Sequence, residues 1–175
     1  MKQIFDRDYP VTSILLILTS LVFALMFLSY GFQYSSSKAL YHFGAVHGYT
    51  IQALPEQFWR VFAAIFIHIG LEHFVVNMLT LYFLGRQIEA IFGSWKFLIL
   101  YLMSGVMGNL FVVYFSPNSL AGHLGGLVGG ALGAVILPVS GERYAFSKSQ
   151  RFLALAVYFG LAAILIFLTF QRPIF

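Results

Sequence analysis

The stretch VTSILLILTSLVFALMFLSYG, residues 11–31, contains no charged side chain. A helix of about 20 apolar residues crosses a bilayer core, and a lipid interior admits only backbone whose polar groups bond to one another. This run therefore limits the fold before anything else is read. It is too long for the core of a signal peptide, and no small-residue cleavage site follows it, so it is read as a retained helix. The rest of the chain agrees. Of 175 residues, 60% are hydrophobic and 9% charged, with a mean hydropathy of +0.86, a balance foreign to soluble domains of this length. The expected fold is all-α, a polytopic membrane helix bundle with about five transmembrane helices.

Charge, proline and glycine mark the boundaries. They predict helices over about 11–31, 71–92, 96–115, 120–137 and 152–170, within a single membrane domain spanning 1–175. The connection over about 32–58 contains "SSSK" and "PEQFWR", too polar and broken to span, and suits short helices lying at the membrane surface. The apolar block from Val61 to Phe92 exceeds one crossing, so it is divided at Gly70 into an entering piece and a spanning helix. No repeat, low-complexity tract or soluble domain is visible.

The net charge of +4 comes from cations placed between apolar segments, which is the pattern of membrane orientation and not of nucleic-acid binding. With the N-terminus cytoplasmic, Lys2, Arg7, Arg86, Lys96, Arg143, Lys148 and Arg151 lie inside, and Lys38, Arg60 and Arg172 outside. That asymmetry predicts N-terminus in and C-terminus out. "PEQFWR" and "SPNS" then share the outer face, and His123 opens a helix there. A bacterial plasma membrane is the expected location, since no Arg-rich, Ser-rich transit segment precedes the first helix. The chain has no cysteine, which excludes disulfides, thiol nucleophiles and zinc-thiolate sites.

Ionisable residues in spanning segments are rare and costly, which makes each a candidate for function. Arg86 and Glu89, three apart near a helix end, fit a structural role by pairing or snorkelling. In "HFVVN", His73 and Asn77 are four apart and share a helical face. An imidazole N–H and an amide from one face are two donors that suit a developing oxyanion; equally, they suit hydrogen bonds between helices. Gly122, Gly126 and Gly130 form one small-residue stripe and Gly125, Gly129 and Gly133 another, allowing close helix approach. His123 stands one turn before Gly126, where tight packing would hold its ring as a general base. "HIGLEH" gathers His68, Glu72 and His73, but the spacing is one residue longer than H-x-x-E-H, His73 is rotated away, and no second cluster adds ligands. No metal and no cofactor is expected.

Several of these motifs converge, in order, on one family. "EQFWRVFAAIFIH", "HFVVN" followed by "LYFLGRQIEAIFG", and "GHLGGLVGG" resemble the rhomboid intramembrane serine proteases. Trp59-Arg60 is similar to the family's tryptophan-arginine pair in the outer loop, with an interfacial anchor as the plainer reading. His73 and Asn77 are similar to its oxyanion-stabilising pair, and His123 with Gly126 and Gly130 to its H-x-x-G-x-x-x-G helix, where the histidine is the base of a Ser-His dyad. The resemblance implies cleavage of transmembrane helices of other proteins in the bilayer, by serine attack on a backbone carbonyl.

The family's nucleophile sits in G-x-S-G, opening its own helix, and no G-x-S-G occurs here. The chain reads like a rhomboid core with the fourth and fifth family helices missing between about Leu120 and Ala121. Losing an even number of crossings leaves downstream orientation unchanged. It is also expected to leave the glycine stripes short of neighbours. Ser119, four residues before His123, could share its face, but beside Pro117 it suits a cap or turn better than a nucleophile. Three readings remain: a rhomboid protease missing a catalytic segment, a rhomboid-like pseudoprotease binding transmembrane clients, and a small scaffold or transport subunit, for which no ionisable pathway is visible.

Overall fold

The computed structural model describes residues 7–115, 123–137 and 146–171, and omits the side chains of 123–125 and 127. Among the described residues every regular element is helical. The main helices are α1 (Pro10–Tyr30), α5 (Leu71–Thr80) running through a π-helical turn at Leu81–Gly85 into α6 (Arg86–Phe92), α7 (Ser94–Phe115), α8 (His123–Ile136) and α9 (Lys148–Gln171). The connection after α1 holds the short helices α2 (Ser37–Phe43), α3 (Gly48–Ala53) and α4 (Arg60–Ala63) with 3-10 turns between them.

The chain is thus the all-α membrane helix bundle its sequence predicts. Among the described residues, three helices are long and apolar enough to cross a membrane: α1 with the turn after it, α7 and α9. Pro55–Phe66 and Leu71–Phe92 qualify only as a broken pair, making up to four. The Leu71–Phe92 run carries Glu72, His73, Asn77, Arg86 and Glu89, which is why its hydropathy lags its length. The described part of α8 has 14 residues; the expected start of that helix at Leu120, the "SPNS" turn and the seam at Leu120–Ala121 lie outside the described residues.

Glycine sets several boundaries. Gly70, with extended backbone, stands before α5 and accepts from Phe74 N–H at 2.9 Å, so the break expected there is real. Gly93, at φ +79°, separates α6 from α7, in a conformation that favours glycine.

The chain forms two compact units, Met1–Gly44 with Phe66–Leu98, and Ala45–Ile65 with Ile99–Phe175. In the first, α1 meets the α5–α6 run. Proline suits the first turn of α1, but no local side chain caps it. Glu89, 3% exposed, supplies the cap: its carboxylate accepts from Val11 N–H at 3.0 Å and from Thr12 N–H at 2.8 Å. Those donors would otherwise be orphans of the helix start. A Cβ on Gly85 would lie 2.9 Å from Leu81 Cδ1 and 3.4 Å from Thr12 Cγ2, so glycine there keeps the helices close. Arg86 lies over the rings of Tyr9 and Tyr82, at 4.7 and 4.9 Å, and Phe23 stacks on Phe74 at 4.2 Å.

The second unit has a core built on Val46, Ile51, Val61, Met107, Val112 and Tyr158. Its glycine helix is packed more closely than the sequence suggests. A Cβ on Gly129 would come within 2.6 Å of Met107 Cβ and 2.9 Å of the Met103 carbonyl, and one on Gly133 within 2.7 Å of Leu100 Cδ1. The α7 helix therefore occupies the groove that the loss of two helices was expected to leave open. Tyr158 of α9 ties the same layer by donating to the Met103 carbonyl at 2.8 Å.

Candidate functional site

In the first unit, the exposure pattern of α5 shows one covered face. His73, Phe74, Asn77 and Met78 are half-buried, while Leu71, Glu72, Val75, Val76, Leu79 and Thr80 are exposed. His73 and Asn77, four residues apart, thus stand one above the other on the covered face, as the spacing predicts. Both residues are half-buried, a setting in which a hydrogen-bond donor acts on charge more strongly than it does in water.

His68, in the break before α5, seats His73. It is 5% exposed, its ring is 5.1 Å from the His73 ring at 48°, and it stands edge-on to Phe74 at 5.7 Å and 89°. Its Nδ1 is buried without a hydrogen-bond partner among the described residues. Glu72 turns outward instead of joining the two histidines, and among the described residues no three His, Cys, Asp or Glu side chains converge as metal ligands.

The second unit holds the tryptophan-arginine pair and the glycine helix. Arg60 is 4% exposed and its guanidinium lies 4.9 Å over the Trp59 ring. Its Nε donates to Gln57 Oε1 at 2.9 Å and its Nη1 to the Ala45 carbonyl at 3.4 Å. A buried charge held this way organises the segment of short helices, which is a firmer role than surface anchoring. From α7, Asn109 donates to the Val61 carbonyl at 2.8 Å, and Ile65 fills the space a side chain at Gly105 would need, 2.8 Å away.

His123 is the first described residue of α8. By helical spacing it shares a face with Gly126 and Gly130. Ser104 of α7 meets the glycines of that face: its hydroxyl donates to the Gly126 carbonyl at 2.7 Å and lies 3.5 Å from where a Cβ on Gly126 or Gly130 would stand. The hydroxyl proton is thereby committed to a backbone carbonyl, and Ser104 serves as a packing hydroxyl between the two helices. Sequence alone does not single out Ser104, because only the phase of α7 against α8 reveals it; the one available signal is the small-residue face it fits. Ser119 lies outside the described residues. His73 and Asn77 belong to the first unit and His123 to the second.

Comparison with known proteins identifies what these features are similar to. The Rhomboid domain family model matches residues 55–174. Rhomboid protease GluP of Bacillus subtilis is 31% identical over 147 residues, covering 83% of this chain and 28% of the relative. Inactive RHOMBOID-like protein 8 of Arabidopsis thaliana is 34% identical over 103 residues, 58% of this chain and 28% of that one. Putative rhomboid protease YdcA of Bacillus subtilis is 27% identical over 139 residues, 78% of this chain and 66% of its own length. The chain thus spans less than two thirds of each of these curated relatives. No solved structure matches it.

Proposed function

The chain belongs to the rhomboid family, and from that premise we propose that it is a multi-pass membrane protein that engages transmembrane helices of other proteins without cutting them. His73 and Asn77 would act as oxyanion-stabilising donors and His123 as the base of a Ser-His dyad, in an intramembrane endopeptidase site whose nucleophile is missing. The observation that carries this reading is the absence of G-x-S-G from the sequence, together with the engagement of Ser104 in a bond to Gly126. Base and donors without an attacking hydroxyl hold a carbonyl but do not open it. In subtilisin, removing the nucleophilic serine lowers kcat on the order of a millionfold.

The relatives named as proteases and the one named inactive support both halves of the proposal. The proposed orientation is N-terminus cytoplasmic and C-terminus outside, with the cell membrane as location, because seven of ten cations then face inward. Co-reconstitution with a test transmembrane helix carrying a photo-crosslinker checks the function. Crosslinks without cleavage products are expected; accumulating product, or no crosslink above that of an unrelated membrane protein, overturns the reading.

A further inference from the structure

From His73 to Glu89 the covered side of the α5–α6 run keeps a strict four-residue spacing. His73 and Asn77 are half-buried and Leu81, Gly85 and Glu89 are buried, while the stretches 75–76, 79–80 and 82–84 between them are exposed. A straight α-helix turns about 100° per residue, so four steps of four residues carry the fifth position about 160° from the first. Glu89 would then stand nearly opposite His73. Yet α1 holds the run at both ends: Phe74 stacks on Phe23 at 4.2 Å, Arg86 lies over Tyr9 at 4.7 Å, and Glu89 caps the first turn of α1. Between these anchors lies the π-helical turn Leu81–Gly85. Its i→i+5 bonding takes one more residue into a turn, which returns about 100° and leaves a drift of about 60°, within the width of one helical face.

We infer that this π-turn is the positioning element of the candidate site. It stores a one-residue surplus that puts the His73–Asn77 pair and the Glu89 cap on the same side of the run, so that the docking of α1 fixes where the two side chains stand. The surplus is carried on the exposed side, at Tyr82, Phe83 and Leu84, where an extra residue meets no packed neighbour. Single π-turns inside α-helices are frequent at functional sites. The inference rests on the reading of His73 and Asn77 as the donors of the site, but its geometry is tested without any client.

The chain has no cysteine, so introduced pairs report alone. Tyr9→Cys with Arg86→Cys reports the α6 end, and Phe23→Cys with Phe74→Cys the α5 end, each bridged in lipid-reconstituted protein by a short thiol-to-thiol crosslinker. Both pairs should bridge in the parent chain. In an ordinary helix, losing a residue and gaining one each swing one end by about 100°, and either change would break a bridge. A stored surplus makes the two changes unequal. Deletion of exposed Leu84 converts the π-turn to α-helix and should keep both bridges, whereas an alanine inserted after Leu84 adds a second surplus residue and should abolish at least one. Leu84→Ala, which leaves the residue count unchanged, should keep both. Loss of a bridge on deletion, survival of both on insertion, or failure of either pair in the parent chain overturns the inference. If the insertion variant does not fold, the deletion decides alone, and a deletion variant that does not fold also overturns it. None of these outcomes bears on whether the chain holds or cuts a client, so the proposed function stands or falls separately.

Discussion

One carboxylate oxygen of Glu89 accepts both the backbone N–H and the hydroxyl of Thr12, at 2.8 and 2.7 Å, joining residues 77 positions apart. The start of α1 is thereby capped from the end of another helix. Replacing Glu89 with Ala leaves three donors unanswered in a buried place. Bonds to a charged group contribute about 1.5–3 kcal/mol each, so the variant should be destabilised by at least about 3 kcal/mol. Glu89→Gln should lose less, and Thr12→Val about 1 kcal/mol. Thermal unfolding in detergent checks the order Ala, Gln, Val.

The glycine helix offers a graded test of close packing. Gly129→Ala would place a Cβ 2.6 Å from Met107 Cβ, whereas at Gly126 the nearest atom is 3.5 Å away. Overpacking costs about 1–3 kcal/mol, so Gly129→Ala should destabilise by about 2 kcal/mol and Gly126→Ala should be nearly neutral. Matched melting curves decide it.

At Arg60, lysine retains the charge but not the two directed bonds to Gln57 and Ala45. Arg60→Lys should therefore loosen residues 45–65. Limited proteolysis of reconstituted protein should cut the variant within that segment several times faster than the parent chain.

His68 is a buried ring whose Nδ1 is unanswered among the described residues, with a hydrogen bond to the Phe66 backbone as its polar contact. His68→Phe retains ring volume and removes the unanswered atom along with the Phe66 contact, so stability should change by no more than about 1 kcal/mol. His68→Ala leaves a cavity and should cost about 2 kcal/mol. A melting temperature of His68→Phe as far below the parent chain as that of His68→Ala would show that the polar contacts of the imidazole outweigh its packing.

These cases separate what a sequence carries from what it does not. The spans at Pro10–Tyr30, Ser94–Phe115 and Lys148–Gln171 and the break before Leu71 are legible, because charge, proline and glycine bound each apolar run. The shared face of His73 and Asn77 is legible too, since i, i+4 spacing is a local property. The partner of Glu89 is not, because it lies 77 residues away and depends on how α1 meets α6; reading Arg86 and Glu89 as neighbours on one helix misses the cap. The π-turn at Leu81–Gly85 leaves no composition signal. Ser104 and the burial of Arg60 likewise depend on helix phase and tertiary contact. His123 stands out because an ionisable residue opening a glycine-striped helix is rare.

The central claim is that this chain retains a rhomboid site's base and oxyanion donors but has no nucleophilic serine. Incubating the lipid-reconstituted protein with a fluorophosphonate probe, followed by peptide mapping, tests it most directly. No serine should be labelled above the level of a His123→Ala variant. Stoichiometric, His123-dependent labelling at Ser104, Ser119 or any other serine would contradict the claim.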